Sequence, residues 1–279
     1  MAASTRWASD LDLDLLILGG SGLLGTALVE TAAGDGRTWA ATHHHADRSG
    51  AEWHRIDLAR DPERLLELLD RLEPSAIVNA AYVQRGDALW ALTAELPGLV
   101  ASWCAGRARL VHLSSDIVFD GRLRRPYVET DLAEPVNEYG AAKLAAEQAV
   151  TTADPSAVVV RTSLLWGGSG DGGPQVHLVR DPKIRFFTDE FRNPLAVDSL
   201  AAACLELVDR PEISGLLHIA GPHRVDRLAF AQALAPLAGV DPEALQGGSG
   251  GDHPGRPADV SLDSTLAASL LTTELRGLP

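Results

Sequence analysis

The chain has 279 residues, 46% of them hydrophobic, and a formal net charge of −14. That is room for one large or two modest domains around a sizeable core, and so acidic a chain excludes nucleic acid or an anionic membrane as the main partner. An anionic ligand would need arginines gathered locally, and no apolar run approaches the roughly 20 residues that span a bilayer.

Residues 1–12, MAASTRWASDLD, lack the apolar core of a signal peptide and are expected to form a loose tail on a cytoplasmic protein. Residues 13–18, LDLLIL, suit a buried parallel strand. They lead straight into GGSGLLG, Gly19 to Gly25, and a helix is predicted over residues 23–33. Strand, glycine turn and helix together are the context that a dinucleotide fingerprint requires. Gly19, Gly22 and Gly25 fit G-x-x-G-x-x-G, and Gly20, Gly22 and Gly25 fit G-x-G-x-x-G. Small residues there let the backbone approach a pyrophosphate at the helix N-terminus. A glycine turn that serves only the chain is the weaker alternative.

Further strands are predicted over residues 38–42, 76–79, 109–114, 157–162 and 216–219, alternating with helices over 63–72, 88–106, 139–151, 198–208 and 226–235. Asp226 is the N-cap of the last helix and Pro236 its stop. The alternation predicts an α/β fold, a Rossmann-type doubly wound parallel sheet. Residues 13–162 would be the NAD(P)-binding domain and 163–279 mainly a smaller substrate lobe, with 196–221 returning to the sheet. Residues 167–173 and 247–251 are glycine-rich loops, and GGSGDGGP is a poor helix start. Cys104 and Cys204 lie in apolar helical stretches and read as buried thiols.

Within this frame, Tyr139 and Lys143 stand four positions apart, on one face of a helix. A fixed ammonium beside a phenol favours the phenolate, so the pair can serve as a general acid/base in carbonyl–alcohol chemistry. The chain has only two lysines, Lys143 and Lys183, so a lysine at this spot suggests that a point charge is required. An incidental surface Tyr and Lys fits the spacing equally well when the pair is taken alone. The run VHLSSDIVFDG ends a strand in Ser115, where ligands meet such sheets. Strand-end capping is the plainer use of that serine. His43, His44 and His45 suggest a metal, but consecutive residues alternate faces and no Cys/His partner motif appears, so no metal site is expected. No acid directly follows the second strand; Asp47 is the nearest, with His43 and Arg48 close by. That suits a ribose 2′-phosphate and favours NADP(H) over NAD(H).

In combination the motifs resemble the extended short-chain dehydrogenase/reductases, and within them the dTDP-4-dehydrorhamnose reductase-like group. GGSGLLG, AIVNAAY, LSSDIVFDG, PVNEYGAAKLAAE, VVRTSLLWGG, TDEFRNP, LLHIAGP and RPADVSLD follow the family's order over residues 13–270. The resemblance implies a Ser115, Tyr139, Lys143 triad reducing the ketone of a nucleotide sugar. Tyr139 would protonate the oxygen, Ser115 would orient it, and Lys143 would lower the tyrosine pKa and bond the nicotinamide ribose. Gly19, Gly22, Leu23, Leu24, Gly25, His43, Arg48, Asp57, Leu58, Ala80 and Ala81 would line the cofactor. Asp116, Asn137, Arg192 and Arg256 would face the substrate, the two arginines as candidates for its phosphates, each weighed against an exposed salt bridge. Glu190, Arg192 and Leu195 stand where the family usually has Gln, Gly and Thr, which puts the rhamnose substrate in doubt. A nucleotide-sugar epimerase and a non-catalytic NADP-binding regulatory subunit are the alternatives. A 4,6-dehydratase is disfavoured, since Ile117 replaces that family's glutamate. A homodimer is left open.

Overall fold

The computed structural model describes residues 13–44, 48–168, 172–251 and 255–279. The tail expected over residues 1–12, together with His45 and Asp47, lies outside them.

Seven parallel strands form one sheet. They are β1 (Leu15–Leu18), β2 (Trp39–His43), β3 (Trp53–Arg55), β4 (Ala76–Asn79), β5 (Arg109–Ser115), β6 (Val158–Thr162) and β7 (Gly215–His218), in the spatial order β7-β6-β5-β4-β1-β2-β3. β1 and β4 are neighbours, and the order runs outward in both directions from them. That reversal opens a crevice at the strands' carboxyl ends.

Both faces are covered, which is why the strands read as continuous apolar runs. One face carries Leu15 and Ile17 of β1 and Val111 of β5. It packs on Leu24 and Leu28 of α1 (Leu23–Gly34) and on Leu200, Cys204 and Leu207 of α6 (Val197–Val208). The alternate residues Leu16, Leu18, Ile77 and Leu110 pack on α2 (Pro62–Leu72), α3 (Leu96–Cys104) and α4 (Glu138–Ala153). Cys104 and Cys204 are free and buried, and burial pushes both thiols up to about 12. Among the described residues no helix is long and apolar enough to cross a membrane.

Three sequence expectations need correction. The helix expected over residues 88–106 begins as a π-helix, Trp90–Glu95, before α3. Pro97 has no N–H to continue the α-pattern, Leu96 donates to the Ala91 carbonyl, and the Thr93 hydroxyl is tied to Val83 by bonds of 2.9 and 3.0 Å. Pro236 does not stop its helix. α7 (Arg227–Ala238) runs past it to Gly239, whose φ of +69° closes the C-terminus. The glycine-rich stretch does start a helix, α5 (Gly173–Arg180), helped by Pro174 in its first turn. Val176 and Val179 of α5 pack with Phe186, Phe230 and Leu234 into a small second core, which secures α5 despite its composition.

Candidate active site

β1 delivers the chain to the glycine turn at the sheet's carboxyl edge. Gly19 has φ +81°, and a Cβ there would lie 2.9 Å from the Ala81 backbone. A Cβ on Gly25 would lie 2.1 Å from the Gly19 carbonyl oxygen. Gly22 is different. It is the N-cap of α1 with φ −76°, and its Cβ would meet nothing nearer than that carbonyl at 3.4 Å. Packing explains glycine at positions 19 and 25 but not at 22. No side chain caps α1 and its first turn carries no acid, so its N–H groups and dipole offer positive potential to an anion. The turn fits a dinucleotide diphosphate.

That fit predicts a contrast. Gly25→Ala should overpack the turn and cost at least about 1–3 kcal/mol of stability. Gly22→Ala should keep the wild-type Tm but weaken NADPH binding by roughly tenfold or more, about 1.4 kcal/mol per decade. Thermal melts and NADPH titration of both variants check this. Wild-type affinity in Gly22→Ala would mean that the turn does not approach the diphosphate.

Three cavities share walls in sequence from this turn. The first, about 440 Å³, is bounded by Gly19, His43, Asp57, Leu58, Ala80 and Ala81. The second, about 410 Å³, shares Gly22, Ala80 and Tyr82 with it and adds Leu23, Leu24, Gly25, Ser115, Tyr139 and Lys143. The third, about 620 Å³, shares Ser115, Asp116 and Tyr139 with the second and adds Asn137, Arg192 and Arg256. Arg48 sits apart, in a recess with Ser21, Gly22 and Thr26, its guanidinium 5.1 Å from the Trp53 ring centroid. His43 ends β2 and is buried, while the half-exposed His44 lies 3.9 Å from Asp57. Asp57 also accepts from the backbone N–H groups of Ala59 and Arg60.

α4 places the central pair. Asn137 caps it, its Oδ1 accepting from Gly140 N at 2.8 Å, and its Nδ2 donates to the Gly255 carbonyl. A Cβ on Gly140 would lie 2.4 Å from the Ile117 carbonyl oxygen, so glycine lets the helix seat against the end of β5. Tyr139 packs against Tyr82 with ring centroids 5.9 Å apart. Ser115 ends β5; its Oγ accepts from Ile117 N at 3.4 Å and donates to Asp116 at 3.1 Å. The plain capping use of Ser115 is therefore real, and the residue also lines both cavities. Burial raises the Asp116 carboxyl above its usual range, against the pull of Arg192, Ser163 and Ser115.

Burial dominates the electrostatics of the pair. Lys143 is buried, its Nζ donates to the Leu113 carbonyl at 2.8 Å, and it lies 5.1 Å from the Tyr82 ring centroid. Burial brings it down to about 8, with Glu147 acting against that shift. The Tyr139 phenol is held well above its ordinary value by burial, and Tyr82 and Asp116 add to the rise. The Lys143 ammonium is held between the end of β5 and the Tyr82 face.

The two arginines named for substrate phosphates are both bound to protein acceptors. Arg192 is buried in a short strand, Phe191–Arg192, and its guanidinium donates to the carbonyls of Phe191, Pro257 and Ala258. Arg256 grips Glu190 through two bonds of 2.5 and 2.8 Å. Sequence reasoning passed over Arg227, which lines the same cavity. Nothing local marks it, since it reads as the residue after a helix cap.

The family model of the RmlD substrate binding domain matches residues 13–277. The chain belongs to that family. It is an NAD(P)-dependent oxidoreductase of the short-chain dehydrogenase/reductase type. A dTDP-4-dehydrorhamnose reductase of Mycolicibacterium smegmatis is 34% identical over 281 residues, covering 94% of this chain and 81% of the relative. The fold is shared with a dTDP-4-dehydrorhamnose reductase of Bacillus anthracis solved in complex with NADP, at a TM-score of 0.77 and 21% identity over 96% of both chains. It is shared also with Bordetella bronchiseptica WbmH solved with NAD+, at 0.80 and 17% identity over 95% of this chain and 94% of that one.

Proposed function

We propose that this chain is a reductase that prefers NADP(H) and reduces the ketone of a keto-sugar nucleotide. The observation that carries this reading is the shared wall. Ser115 and Tyr139 border both the cavity that reaches the glycine turn and the cavity that holds the arginines. A bound nicotinamide supplies the hydride. Gly22 and the α1 N-terminus would hold the diphosphate, and Lys143 the nicotinamide ribose. Tyr139, with its phenol kept protonated, would deliver the proton to the ketone oxygen, which Ser115 would orient. Arg48 beside the glycine turn, with His43 ending β2 and His44 following it, supports a 2′-phosphate.

The test is turnover of NADPH and NADH against a panel of keto-sugar nucleotides, followed by loss of reduced-nicotinamide absorbance. We expect turnover, with NADPH binding roughly tenfold or more tightly than NADH, about 1.4 kcal/mol. Added salt should shrink that gap. NADPH binding without turnover of any panel member would make the chain a binding module. Equal affinities would return the basic cluster to the role of a solvated loop.

A further inference from the structure

The cavity of about 620 Å³ is lined by four arginines, Arg85, Arg192, Arg227 and Arg256, against three carboxylates, Asp116, Glu138 and Glu190. This local excess of positive charge lies in a chain of net charge −14. Arg85 is exposed to water, and the three other cations in the wall are not equivalent. Arg256 is satisfied by the two oxygens of the buried Glu190. Arg192 spends its donors on three carbonyls and stands 3.9 Å from Asp116. Arg227 has only a 3.3 Å bond from Nη2 to the neutral Gln175 amide oxygen, and no carboxylate within 4.0 Å among the described residues.

Its position makes the charge costly. Arg227 is the first residue of α7, where the helix dipole is positive. Burial, with Arg192 and Arg256 beside it, lowers its pKa to about 10, against the opposing pull of Glu190 and Asp116. A buried cation with no carboxylate in direct contact weakens the fold, and an anion entering the cavity would offset that. A guanidinium presents a planar fork that matches phosphate oxygens in pairs.

We propose that Arg227, rather than Arg192 or Arg256, is the residue that binds the diphosphate of the substrate. The inference rests on the reading of the substrate as a nucleotide sugar, and it assigns the phosphate subsite to the start of α7. Arg192 and Arg256 shape the cavity wall and raise its potential through their own bonded positions.

The experiment reads binding apart from turnover. Wild-type protein, Arg227→Gln and Arg227→Lys are titrated calorimetrically with thymidine diphosphate, with thymidine as the uncharged control, and each is melted. For Arg227→Gln we expect about 10- to 100-fold weaker thymidine diphosphate binding, the loss of a charge-assisted bond. Thymidine and NADPH affinities should be unchanged, and Tm equal to or above wild type. Arg227→Lys, which keeps the charge but not the fork, should fall between the two. In turnover, Arg227→Gln should raise KM for a keto-sugar nucleotide by a similar factor and change kcat far less. Wild-type thymidine diphosphate affinity in Arg227→Gln, with a wild-type enzyme that turns over, overturns this assignment and leaves the reductase reading standing. A Tm lowered by more than about 4 °C, roughly 1 kcal/mol or more, also overturns it, since Arg227 would then hold the fold. Failure of the wild type both to bind thymidine diphosphate and to turn over overturns the reading and the assignment together.

Discussion

Tyr139→Phe should reduce turnover by about 10²–10⁴ while leaving Tm and NADPH affinity close to wild type. That loss is the usual scale for removing one positioned acid, equivalent to about 2.7–5.4 kcal/mol of barrier. The ring's contact with Tyr82 survives the change. No hydrogen bond joins the Tyr139 hydroxyl to a described residue, so its removal breaks none inside the fold. The sign of the pKa shift matters here. Because the phenol lies well above its ordinary value, it keeps its proton through neutral and mildly alkaline pH. A protonated phenol is the form that the proposed ketone reduction requires. Steady-state turnover, with a melt on the same preparation, checks the prediction. Near wild-type turnover would remove Tyr139 from the chemistry and leave the cavity a binding site.

Local rules made much of the sheet readable. Leu15–Leu18, the glycine turn and α1 follow one another without a gap, and each has its own sequence signature. The strands β4, β5 and β6 are buried on both faces and rich in aliphatic residues, which makes them hard to mistake. β3 escaped because Trp53–Arg55 is only three residues at an edge, partly exposed, and is held in place by pairing with β2 and by the edge contact of Trp53 with Trp39. The π-turn before α3 depends on the bonds between Thr93 and Val83, a contact that no window along the helix reveals.

The site divides in the same way. The four-residue spacing of Tyr139 and Lys143 is a local fact, and the helix honours it. Which arginine retains free charge is not local. Glu190 and Arg256 meet across 66 positions of chain, and Arg192 reaches Pro257 across 65. Only the folded chain shows these two satisfied and Arg227 left with a neutral partner. The loop residues that drew attention by departing from the family pattern, Glu190 and Arg192, are spent on building the cavity wall. The sequence flags the departure, and tertiary partners decide what it does.

Glu147→Ala should be among the most damaging single changes outside the cavities, costing about 3–5 kcal/mol of stability. Glu147 lies one turn beyond Lys143 on α4. Its carboxylate takes two bonds from Arg161 of β6, at 2.9 and 2.6 Å, and one from Ser114 of β5 at 2.5 Å. Both side chains of the ion pair are 3% exposed, so water cannot replace a lost partner. Arg161 also stands 5.0 Å from the Phe119 ring centroid and 3.5 Å from His218 Nε2. Removing the acid leaves that guanidinium buried and uncompensated against an aromatic face and a histidine. It also withdraws the charge that keeps Lys143 from shifting further down. The cost should lie in the unpaired charge more than in the pair itself. Glu147→Met combined with Arg161→Met should therefore be less destabilised than Glu147→Ala alone. Urea melts of the three proteins decide the matter. A loss under about 1 kcal/mol in Glu147→Ala, the scale of a surface pair, would show that Arg161 finds another partner or water when the acid is gone.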